Sequence, residues 1–116
     1  MEIKKTYEQI NPDLLFDEIR DLAVKQGAVV GETRIQTYSM ATDSSSFITR
    51  GTLTLKIRDE ASKTEKECCQ IHLVGSARGQ TKLMMDIDEK LFPLEKVNAL
   101  QSDFDFMFSS FEVTPQ

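Results

Sequence analysis

The sequence predicts a two-layer α+β fold in the order β-α-β-β-β-β-α, a twisted antiparallel sheet with two helices on one face. Three observations lead there. Residues 94–111 have a helical period: at about 100° per residue, Val97, Leu100, Phe104, Met107, Phe108 and Phe111 fall on one apolar stripe. Residues 11–27 carry start and stop signals for another amphipathic helix. Between them the period switches to two, as in strands buried on one face and wet on the other.

Taken in order, residues 1–10 read as a first strand with Ile3 and Tyr7 inward. Asn11 then suits an N-cap, Pro12 the first helical position and Asp13 the positive end of the helix dipole. Lys25 falls in the last turn, and Gly27 follows as a left-handed cap. Leu15, Ile19, Leu22 and Ala23 form the buried stripe of this helix, with Phe16 on its shoulder. Residues 28–40 are rich in β-formers but show no clean inside and outside. Residues 41–46, which include Ser44, Ser45 and Ser46, read as a loop.

Alternation is clear in the next three strands. In residues 47–58, Phe47, Leu53, Leu55 and Ile57 point inward. A charged turn leads to residues 66–78, with Cys69, Ile71 and Leu73 inward. After a reversal between Gly75 and Gly79, residues 81–88 put Leu83, Met85 and Ile87 inward and Lys82, Met84, Asp86 and Asp88 outward. Pro93 then opens the last helix, and five of the seven Phe lie from Phe92 onward. Phe106 is the exception on that helix, nearly opposite its stripe. This order of elements resembles that of a TATA-binding-protein repeat and of the smaller helix-grip proteins related to START domains. The resemblance is topological and carries no function with it.

Residues 1–116 are expected to form one domain, since the length suits an ordinary core and is too short for two. The 40% apolar and 28% charged content is that of a soluble protein, and the net charge of −5 speaks against nucleic acid as a partner. No apolar run is long enough for a membrane span, and the first residues lack a signal-peptide core, so a cytoplasmic location is expected. Cys68 and Cys69 are adjacent; in a regular strand they would face opposite ways, and they read as reduced thiols.

Little in the chain assembles into chemistry. The outward side chains Arg50, Lys56, Arg58, His72, Arg78 and Lys82 make a basic sheet face, partly offset by Asp86 and Asp88. No aromatic appears on the outer face of the three best-defined strands for base stacking, so the face reads as solvated, with cross-strand ion pairs. Asp86, Asp88 and Glu89 could approach a cation, yet they fit better as an acidic, edge-protecting strand end. His72 has no partner at a telling spacing, Gly75 and Gly79 return into a strand rather than a helix, and the serines lack a nucleophile-elbow context. The expectation is a non-catalytic domain without cofactor or metal.

Two functional readings follow. In the first, the chain is a protein-interaction or self-association module whose contact surface comprises Phe106, Met84 and part of the first helix's edge at Phe16 and Val24. In the second, a small apolar ligand lies between the sheet and the C-terminal helix, against Phe104, Met107, Phe108, Phe111 and Met85.

Overall fold

The computed structural model describes residues 1–39, 47–59, 61–76 and 79–113. The serine loop at Ser44, Ser45 and Ser46, Arg78 and the side chain of Phe47 lie outside the described residues. Helix α1 (Pro12–Lys25) forms where local signals demand it. The Asn11 side chain accepts a hydrogen bond from the Asp13 amide at 2.8 Å, filling one of the orphan donors of the first turn. At the other end Gly27 takes a positive φ of 94°, and the amides of Gly27 and Ala28 return to the carbonyls of Val24 and Ala23. This paired closure needs a left-handed residue, which glycine supplies without a Cβ penalty.

Five strands form one antiparallel sheet: β1 (Glu2–Glu8), β2 (Val29–Ser39), β3 (Phe47–Asp59), β4 (Thr64–Gly75) and β5 (Gln80–Ile87). Their spatial order is β1-β5-β4-β3-β2, so a four-stranded meander is closed by the first strand pairing beside the last. Helix α2 (Leu94–Phe108) follows, succeeded by a 3-10 turn at Ser109–Phe111. The α+β class and the antiparallel sheet expected from periodicity are therefore present. Among the described residues no helix is long and apolar enough to cross a membrane.

The core lies between the sheet and both helices. Leu53, Leu55, Ile71, Leu73, Leu83 and Ile87 come from the sheet, Leu15, Ile19 and Ala23 from α1, and Val97, Leu100, Phe104 and Phe108 from α2. Tyr7 joins them from β1, its ring set edge-on against Phe104 at 5.6 Å. Phe92, in the connection before α2, is fully buried as well.

Two register shifts account for the stretches that periodicity reads poorly. Val30 faces Leu55 and Thr33 faces Leu53, so Gly31 and Glu32 together oppose Thr54. A bulge of this kind inverts the alternation, which is why β2 shows no single inside and outside. In β4 the shift falls at Cys68: Leu55 pairs with Cys69 and Lys56 with Glu67. The extra residue overturns the expectation that the two cysteines face apart; both are buried free thiols.

Three further expectations change. Phe16 is not on an exposed shoulder but is 2% accessible, because Gly51 of β3 leaves room for its ring. A Cβ at Gly51 would lie 2.8 Å from the Phe16 ring. Met107 and Phe111 do not belong to the buried stripe and are 41% and 38% exposed. Met107 stands roughly 65° from the stripe's centre at 100° per residue. Phe111 follows the change from α to 3-10 geometry, which alters the angular step.

Candidate functional site

Three places need consideration: the helix–sheet interior, the outer side of α2 and the open face of the sheet. The interior is filled. Phe104, Phe108 and Met85, named above as ligand contacts, are core side chains, and the Phe104 ring packs against Phe108 at a 50° tilt with 5.0 Å between ring centres. The void bounded by Ile19, Met85, Leu100 and Phe104 measures about 10 Å³, on the order of the space one water molecule needs.

The outer side of α2 is different. Phe106 is 90% exposed, as its position opposite Val97, Leu100, Phe104 and Phe108 requires. Met107 is adjacent, and Phe111 follows four residues later in the 3-10 turn. This end of the helix is held by Lys5, whose ammonium contacts Asp105 at 2.7 Å and Glu112 at 3.4 Å. Burial opposes the charge on Lys5, but the hydrogen bond and charge of Asp105, backed by Glu112, hold its pKa above the usual lysine value. The tail then runs back along β1, where Glu112 bridges Tyr7 and the Val113 amide donates to the Thr6 carbonyl at 2.7 Å. Phe106 is thus presented from a fixed helix end.

Met84 does not share that surface. It sits half-buried on the open face, on the far side of the sheet from the helices, so the three expected partner contacts divide among an exposed helix, the core (Phe16) and the open face. The strand register resolves the pattern of the open face. One row across the sheet reads Lys4, Met84, His72, Thr52, Arg34. The next reads Thr6, Lys82, Val74, Arg50, Gln36. Neither row contains a carboxylate; the flanking rows supply Glu2 and Asp86 on one side and Glu8 on the other. Lys56 and Arg58, expected in the same basic face, lie farther along opposite Glu67 and Glu65.

The remaining chemical candidates are dispersed. Burial pushes the Cys69 thiol up to about 12 and raises that of Cys68, which is the direction that suppresses thiolate reactivity. His72 is half-buried between Thr52 and Met84. Among the described residues no group of three or more His, Cys, Asp or Glu side chains is placed to hold a metal ion. Sequence reasoning located Phe106 from its helical angle, but the acid-free double row depends on cross-strand register and could not be read from one strand at a time. No model of a known protein family matches the sequence, and no curated protein is significantly similar to it.

Proposed function

We propose that this chain is a non-catalytic protein-association module that makes contact through the C-terminal end of α2, with a second copy of itself as the partner. The carrying observation is Phe106, which stands 90% exposed on a helix whose other side closes the core. Met107 and Phe111, which follow it in the chain, are partly exposed apolar side chains as well. Burying one Phe side chain against a partner is worth about 1.5–3 kcal/mol. An isolated aromatic of this size anchors a small, reversible interface rather than a permanent one. What favours association over an enclosed apolar ligand is space: the interior void of about 10 Å³ compares with several hundred in a typical ligand site.

Sedimentation equilibrium tests the reading. Wild-type protein should show a reversible monomer–dimer equilibrium by about 1 mM, and Phe106→Ser should weaken it roughly 10- to 100-fold at an unchanged melting temperature. A wild type that stays monomeric over that range, or a variant that dimerises equally well, would overturn it.

A further inference from the structure

The two acid-free rows of the open face have no role in an α2 contact, and they differ from the rest of a chain whose net charge is −5. Lys4 and Arg34, at the two ends, are each held by a glutamate two residues earlier on the same strand, at 3.0 and 3.3 Å. Lys82 and Arg50, in the middle, are exposed and have no ion pair among the described residues. Between them lies Val74, 38% exposed. His72, Val74, Lys82 and Met84 line a depression of about 390 Å³, with Lys4 and Thr6 at its β1 side. Unpaired cations thus flank an apolar floor.

We infer that this face binds an extended acidic peptide segment that crosses the strands and carries apolar side chains among its carboxylates. Size, charge and floor each point to that occupant. Five strands span about 19 Å at roughly 4.8 Å per spacing, the length of about six extended residues. Lys82 and Arg50 stand two strands apart, about 10 Å, so separate carboxylates can reach each of them. Val74 and Met84 then receive the intervening apolar side chains. Single-stranded nucleic acid fits less well, because the two rows offer only the half-buried imidazole of His72 and no Phe, Tyr or Trp for base stacking, and the molecule's net charge repels a long polyanion. A small molecule would keep most of its surface wet in so open a depression.

Fluorescence anisotropy with a labelled peptide of about eight residues, whose every second position reads Glu, Leu, Glu, Leu so that one face carries both, tests the inference, with the corresponding Gln–Leu peptide and an oligo-dT of similar length as comparison probes. The Glu–Leu peptide should bind at low salt and lose roughly tenfold in affinity between about 50 and 300 mM NaCl. Lys82→Glu combined with Arg50→Glu should cost at least about tenfold, while Phe106→Ser should change nothing. Lys82→Ala with Arg50→Ala provides the same comparison, with a smaller loss, if charge reversal perturbs folding. Absence of peptide binding, equal binding of the Gln–Leu peptide, indifference to both double substitutions, or tighter binding of oligo-dT would each overturn the inference. The Phe106→Ser control separates this surface from the α2 contact, so either proposal can fail alone.

Discussion

Tyr7 brings its hydroxyl into the interior without a hydrogen-bond partner among the described residues, and so does Thr81, its direct neighbour across the β1–β5 pair. Burial, with the charges of Glu112 and then Asp105, holds the Tyr7 phenol well above its ordinary pKa. An unpaired buried hydroxyl costs about 1–3 kcal/mol, whereas the ring contributes through its contact with Phe104. Tyr7→Phe keeps the ring and removes the orphaned group. It should raise stability by about 1 kcal/mol in urea denaturation, and a clear loss of stability would mean that the hydroxyl is satisfied in solution by a buried water. Gly75 crowds the same corner: a Cβ there would lie 2.2 Å from the Thr81 hydroxyl oxygen.

At the level of elements, the contact between α1 and β3 rests on Phe16 lying over Gly51. Gly51→Ala should cost about 1–3 kcal/mol, because the Phe16 ring is enclosed and cannot give way freely. Phe16→Leu in the same chain should recover part of that loss, which a double-mutant cycle in denaturant would measure; strictly additive costs would refute the contact's importance. The same example marks what was legible in the sequence. The capped ends of α1 could be read because Asn11, Pro12 and Gly27 act on their immediate neighbours. The fit of Phe16 could not, since the space it fills is created by a missing side chain 35 positions away in the chain. The bulges at Gly31–Glu32 and Cys68 were hidden for a related reason: each is defined only against the partner strand. In the candidate sites, Phe106 followed from helical angle alone, while Met107 was counted in the stripe despite its offset from the stripe's centre and Phe111 was misplaced because the helix tightens at its end.

For the whole molecule, pH response and assembly follow from the same contacts. Lys5, Tyr7, Cys68 and Cys69 all have folded-state pKa values raised above their unfolded ones. Raised values mean that the native state holds these protons more tightly, so their stabilising contribution is intact below the unfolded values of 9.0 for Cys, 10.0 for Tyr and 10.5 for Lys. It is lost as pH climbs through the higher folded values. The four groups should therefore leave the melting temperature level from about pH 7 to 9 and lower it progressively above, as thermal unfolding by circular dichroism would record. A melting temperature still level at about pH 11.5 would contradict the burial of the two thiols and the phenol. The tail's pairing with β1 also limits how copies can join. Thr6 and Tyr7 already have Val113 and Glu112 on their outer side, whereas among the described residues no strand pairs with the outer side of β2. Two copies joined β2 to β2 would each spend their longer open edge on the other, so sheet extension through that edge ends at a pair.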